Sequence, residues 1–198
     1  MITDIFKTSI YTTQIKNDKY VNFFKKILKD QKRINKTGEK ISNEGGYQTY
    51  NFKPLREPEI CKEVFLKHSK AFCDKLNPRK KQYKIYNHSW WINENKLGDY
   101  NSLHNHSDPT KNIILSGIYY IETPKDSGRL VFLDSDYGKY SDNNFDYFDD
   151  PNFFAKYVFL PKKYDLILFP PGALHMVEPS KSKKSRISVA FNIGILDE

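Results

Sequence analysis

From Tyr83 onward the chain is written in short runs of β-branched and aromatic residues: Tyr83 to Trp91, Ile113 to Ile121, Leu130 to Leu133, Tyr157 to Leu160, Asp165 to Phe169 and Arg186 to Ile195. Gly, Pro, Asn and Asp separate them. Runs this short bury their apolar faces by pairing edge to edge, which predicts an antiparallel double sheet of the sandwich or barrel type. The last run is the most explicit. Ile187, Val189, Phe191, Ile193 and Ile195 fall on one face of a strand, leaving Arg186, Ser188, Ala190, Asn192 and Gly194 on the other.

The front of the chain has a different period. Tyr20, Phe23, Phe24, Ile27 and Leu28 share one helix face, with Lys25, Lys26, Lys29 and Lys32 outside it, so residues 18–34 read as an amphipathic helix. A second helix begins at Pro58 and carries Ile60, Cys61, Val64, Phe65, His68, Phe72 and Leu76 until Asn77-Pro78 ends it. At 198 residues the chain suits one domain. The predicted architecture over 1–198 is α+β and mainly β, with a helical N-terminal layer (1–82) supporting the β core (83–198). The connection from Asp134 to Phe154 mixes six Asp with aromatic residues and reads as a lid or binding loop.

Charge and cysteine usage narrow the class of partner. The net charge of +8 is concentrated in the front half, but Lys outnumbers Arg 27 to 5 and no nucleic-acid motif accompanies the charge. Nucleic acid is therefore not the expected partner. No stretch approaches the roughly 20 apolar residues of a membrane span, and residues 1–20 lack the pattern of a secretory leader. Cys61 and Cys73 alone make neither a disulfide framework nor a thiolate metal site. A soluble, unexported, cytoplasmic protein is expected, either monomer or homodimer.

Three of the five histidines stand in informative places: His104 and His106 in Leu103-His-Asn-His-Ser-Asp108, and His175 after Pro170-Pro-Gly-Ala-Leu. Residues i and i+2 of an extended strand project from one face, so His104 and His106 can aim at a common point. His175 would complete a facial set with open positions, as in non-haem Fe(II) oxygenases. A pair of His106 with Asp108 is equally admissible on spacing. Arg186, eleven residues beyond His175, shares its strand face with Ser188, a fork and a hydroxyl suited to a carboxylate. His68 and His88 read as ordinary packed or solvated residues; Trp90 and Trp91 could line a substrate cleft, but adjacent strand residues face opposite ways, so at least one is expected in the core, the favoured reading. Asn93, Asn101 and Asn192 could orient ligands or serve turns.

Over residues 84–195 these segments resemble the Fe(II)- and 2-oxoglutarate-dependent oxygenases. The resemblance rests on Ser89-Trp-Trp-Ile-Asn93, Gly98-Asp-Tyr-Asn101, His104-Asn-His106, Ser116-Gly-Ile-Tyr-Tyr120, Ser127-Gly-Arg-Leu-Val-Phe132, Leu168-Phe-Pro-Pro-Gly-Ala-Leu-His175 and Arg186-Ile-Ser-Val-Ala-Phe-Asn192. Their order and spacing are similar to a subfamily of marine bacteria and their phages, which implies a host-cytoplasm setting. The resemblance implies a double-stranded β-helix, or jelly roll, with Fe(II) between the sheets. It implies that His104, His106 and His175 ligate the metal. It further implies that Arg186, assisted by Ser188 and Tyr120, binds the distal carboxylate of 2-oxoglutarate. The wider family shows His-x-Asp, so Asp108 is the fallback ligand. With O2, such a site would hydroxylate a protein or peptide residue, or a small metabolite, and release succinate. The competing classes are a silent metal- or carboxylate-binding jelly roll, and a three-histidine cupin enzyme without 2-oxoglutarate.

Overall fold

A computed structural model describes residues 8–77, 79, 81–134 and 156–196. In chain order the elements are β1 (Tyr11–Gln14), α1 (Asp18–Ile34), β2 (Asn43–Glu44), β3 (Tyr47–Gln48) and α2 (Pro58–Ile60). A π-helical stretch (Cys61–Leu66) and α3 (Lys67–Leu76) follow. The remaining strands are β4 (Lys84–Asn95), β5 (Tyr100–His104), β6 (Ile113–Glu122), β7 (Leu130–Leu133), β8 (Lys156–Phe159), β9 (Asp165–Phe169), β10 (Leu174–Val177) and β11 (Arg186–Leu196). Two antiparallel sheets result, one ordered β1-β9-β6-β11-β4-β3 and the other β2-β5-β10-β7-β8. From β4 to β7, and again from β8 to β11, each successive strand lies in the opposite sheet. That winding makes a double-stranded β-helix, as the resemblance implies.

The larger sheet is buried on both faces. Helix α1 begins at Asn17, whose side chain accepts the backbone N–H of Lys19 at 3.0 Å. It lays Tyr20, Val21, Phe24 and Leu28 on the sheet. Phe24 meets Trp90 edge-on at 5.7 Å between ring centroids, while Phe65 approaches Phe191 at 4.8 Å. The opposite face of the same sheet contributes Ile118, Tyr120, Ile167, Phe169 and Ala190 to a second core, which Phe132 and Val177 of the smaller sheet complete. Strand β11 thus alternates between two interiors. Its odd residues pack under the helices and its even residues face the space between the sheets.

Two expectations need correcting. The front segment is not only helical, because β1, β2 and β3 extend the two sheets. Strands of two to four residues are too short for alternation to register in the sequence. The second helix is not uniform either: Lys67 N–H reaches back to the Lys62 carbonyl, and this wider π turn sets both Val64 and Phe65 into the core. The expected lid, apart from Asp134, lies outside the described residues.

Two ion pairs, Lys25–Glu122 and Lys32–Glu94, fasten α1 to β6 and β4. Burial raises the Glu94 carboxyl, but the Lys32 ammonium and the Ser185 hydroxyl outweigh it and leave the pKa below its ordinary value. A carboxylate whose folded pKa is depressed stabilises fully above its unfolded value, about 4.3, and loses that contribution as pH falls through the folded one. Glu94→Gln is expected to cost about 1–2 kcal/mol at pH 7. The gap to wild type should close below pH 4, as read by urea denaturation across a pH series.

Candidate active site

The metal-ligating candidates are positioned by a strand irregularity. Across β5 and β10, His104 stands opposite His175, but Asn101 stands opposite Val177, so β5 carries one extra residue. A bulge of this kind re-aims side chains. Asn101 is buried while Leu103 is exposed. His106 lies beyond the strand, its backbone N–H held by the Pro171 carbonyl at 2.8 Å. His104 and His106 both follow this bulge and stand two residues apart, the spacing that lets both imidazoles face one point; His104 is held in the ladder and His106 by its tie to the loop before β10.

His104, His106 and His175 nevertheless meet, with one ligand atom from each within 4.8 Å of the others. Ring centroids lie 4.3 Å apart for His104 and His175, 5.0 Å for His106 and His175, and 5.3 Å for His104 and His106. His104 Nδ1 is 2.7 Å from the Ser102 carbonyl and His175 Nδ1 is 2.9 Å from the Ala173 carbonyl. A carbonyl only accepts, so each Nδ1 carries the proton and each Nε2 keeps a lone pair. His106 Nδ1 faces Ser116 Oγ at 2.8 Å and Asn192 Oδ1 at 3.0 Å. Burial, and secondarily the neighbouring imidazoles, push His175 down to about 3 and His106 down to about 4, while burial lowers His104 against the pull of the Ser102 carbonyl. Three neutral nitrogen donors suit a divalent transition metal.

Asp108 is not brought into this cluster. One carboxylate oxygen caps Thr110 through its backbone N–H (3.0 Å) and hydroxyl (2.6 Å), and the other pairs with Lys111 at 2.7 Å. Those three contacts hold its carboxyl far below the ordinary range. Its chemistry is that of a turn.

The even face of β11 carries a second constellation. Arg186 is 1% exposed, Ser188 2% and Tyr120 0%. The guanidinium carbon of Arg186 sits 5.1 Å from the Tyr120 ring centroid, and Ser188 stands opposite both Tyr120 on β6 and Asn93 on β4. Arg186 forms no ion pair among the described residues, and Arg186 Nε and the Tyr120 hydroxyl are buried without a hydrogen-bond partner. Burial raises the Tyr120 pKa against the opposing charge of Arg186, so the phenol stays a neutral donor. A buried cation with unmet donors beside a neutral phenol fits a ligand carboxylate.

Sequence reasoning missed part of the wall. Trp91 is not plain core: it faces His106 edge-on at 5.5 Å, while Trp90 alone packs under the helices. Phe169 lies 4.8 Å and Phe132 5.9 Å from the His175 ring. The only sequence signal was parity, since Trp91 has the parity of Ser89 and Asn93 and stands opposite Ala190. His68 and His88 remain outside the site, hydrogen-bonded to Tyr11 and Ser89.

The unmet hydroxyl has a measurable signature. Tyr120→Phe is expected to leave the ligand-free protein as stable as wild type, or more stable by up to about 1 kcal/mol. Tyr119→Phe breaks the 2.8 Å bond to the Ile15 carbonyl and should cost about 1 kcal/mol. Urea midpoints of the two variants separate the cases.

No curated protein matches the sequence. Residues 89–192 match the family described as "Putative 2OG-Fe(II) oxygenase". The fold is similar to a viral collagen prolyl hydroxylase from Paramecium Bursaria Chlorella virus-1 in complex with 2-oxoglutarate (TM-score 0.61, 16% identity, 93% of this chain and 94% of that one). It is also similar to a Trichoplax adhaerens prolyl hydroxylase in complex with a fragment of the hypoxia inducible factor oxygen degradation domain (0.59, 13%, 94% and 83%). A third likeness is HygX of Streptomyces hygroscopicus with nickel and 2-oxoglutarate bound (0.57, 11%, 94% and 82%). The family match spans just over half of the residues, from Ser89 on β4 to Asn192 on β11, and the chain accordingly belongs to the 2OG-Fe(II) oxygenase family, with Fe(II) and 2-oxoglutarate as its cofactors.

Proposed function

We propose that the protein is a hydroxylase whose Fe(II) is held by His104, His106 and His175 and whose 2-oxoglutarate is anchored by Arg186, Ser188 and Tyr120. The observation that carries this reading is the buried guanidinium of Arg186, without an ion pair among the described residues, facing the same inter-sheet space as three neutral imidazoles. Arg186 can donate two parallel bonds to the distal carboxylate, with Ser188 and Tyr120 each donating one more. Trp91, Phe132 and Phe169 wall the histidines with apolar surface, and His175 is buried among them while His104 and His106 are half-buried, which strengthens the polar contacts made there. The bound metal and 2-oxoglutarate supply the oxidising chemistry, in which oxygen activation is coupled to decarboxylation to succinate. The protein contributes donor geometry and a dry wall. A peptide residue is the favoured substrate, in line with the prolyl hydroxylases of similar fold. Two free thiols, Cys61 and Cys73, are in keeping with a reducing cytoplasm.

Anaerobic addition of Fe(II) and then 2-oxoglutarate should produce the weak visible charge-transfer band of the chelate, and oxygen should then yield succinate. His175→Ala should abolish the band. Arg186→Ala should raise the 2-oxoglutarate Kd about 10- to 100-fold, the loss of charge-assisted bonds worth roughly 1.5–3 kcal/mol. Fe(II) binding with no band on adding 2-oxoglutarate would overturn the reading in favour of a three-histidine cupin. For the substrate, proline-containing peptides should accelerate succinate release; acceleration by small metabolites alone would remove the peptide assignment.

A further inference from the structure

His104 and His175 are each fixed by a backbone carbonyl, but His106 is not. Its Nδ1 faces two side-chain oxygens, Ser116 Oγ at 2.8 Å and Asn192 Oδ1 at 3.0 Å, either of which belongs to a group able to donate as well as accept. What happens to the single hydroxyl hydrogen of Ser116 decides the chemistry. That hydroxyl lies 2.8 Å from Asn192 Oδ1 and donates to it, while Asn192 Nδ2 turns away to Ser89 Oγ at 3.4 Å. With its hydrogen committed there, Ser116 can only accept from His106, and Asn192 Oδ1 can only accept from both. Nδ1 of His106 must then carry the proton, and Nε2 is left with its lone pair.

We propose that Asn192, seated by Ser116 and Ser89, is the positioning residue for His106, fixing the tautomer and ring plane that present Nε2 to the metal. The three residues come from different strands, Ser89 on β4, Ser116 on β6 and Asn192 on β11, and they are paired in register across the middle of the sheet. Ser116 is fully buried and Asn192 is 7% exposed, so water does not compete for the ring nitrogen. The arrangement supplies through an amide what a carboxylate partner supplies to many metal-bound histidines, without adding charge. It also gives the third imidazole, which stands where a carboxylate is usual, the same polarity as the other two. The inference rests on the ligand assignment above, but its central claim concerns the metal-free chain.

The test uses metal-free protein with 15N-labelled histidine and long-range proton–nitrogen correlation, which reads which ring nitrogen is protonated. Wild-type His106 should be protonated at Nδ1. Asn192→Leu should shift it towards the Nε2–H form or a mixture, and Asn192→Asp, which keeps the acceptor, should retain Nδ1–H. Asn192→Ala, which removes the acceptor without adding bulk, serves should the leucine disturb folding, with the same direction of change expected. In a Co(II) titration followed by visible absorption, Asn192→Leu should bind about 10- to 100-fold more weakly and Asn192→Asp within about threefold of wild type. A wild-type His106 protonated at Nε2, or Co(II) affinity unmoved in Asn192→Leu and Asn192→Ala, would overturn the inference. Failure of the ligand reading looks different: Co(II) would then bind wild type and His175→Ala equally, whatever the tautomer of His106.

Discussion

Strand β11 is sheathed on both sides by strands and on both faces by side chains, and this double burial organises the molecule. Its odd residues, Ile187, Val189, Phe191 and Ile193, lock the sheet to α1 and the helices that follow β3. Its even residues are thereby committed to the gap between the sheets, where Arg186, Ser188 and Asn192 become neighbours of the site at fixed intervals. A slip of one residue would bury Arg186 under the helices and turn the apolar side chains onto the histidines. The helical layer therefore does more than cover a sheet. By claiming one face of β11, it specifies which face is left for chemistry.

The same logic explains what the sequence made legible. Arg186, Ser188 and Asn192 could be placed on one face because β11 is long enough for period two to stand out, and α1 ran from 18 to 34 because its apolar stripe is clean. Strand β6 was found as an apolar run, but both of its faces are buried, so the run by itself does not tell the face of Tyr119 from that of Tyr120. The histidines were legible as a cluster because His104 and His106 stand two residues apart beyond the bulge, but the backbone bond of His106 to Pro171, between segments about 65 residues apart, is encoded by no local pattern. The roles of Trp91 and Ser116 beside His106 were not legible, because they exist only once β4, β6 and β11 are in register.

Asp108 shows how a short motif can mislead. His-Ser-Asp satisfies the spacing of the usual facial pair, and geometry in an extended strand would admit it. The following Pro109 and Thr110 decide otherwise. A carboxylate two residues before a threonine, with a proline between, closes a local turn on the Thr110 N–H and hydroxyl, and Lys111 completes its charge balance. A carboxylate satisfied by three local donors has little to gain from moving into a dry cluster, so the local bonds win over the distant site.

The electrostatic consequence runs through the whole inter-sheet space. On the proposed ligand set, the described residues offer the metal three neutral nitrogens, and facing the same inter-sheet space they bury the Arg186 guanidinium without an ion pair among them. Each positive centre is costly in a dry interior unless an anion joins it. On that reading 2-oxoglutarate, a dianion, would bring compensating charge to both, so metal and 2-oxoglutarate would favour each other's binding through charge. An Asp in place of one imidazole would weaken that dependence, since the metal would then carry its own compensating charge. On the proposed ligand set, the three imidazoles, the neutral amide of Asn192 behind His106 and the buried Arg186 would then be parts of one electrostatic design, in which the charge that completes the interior arrives with the ligand.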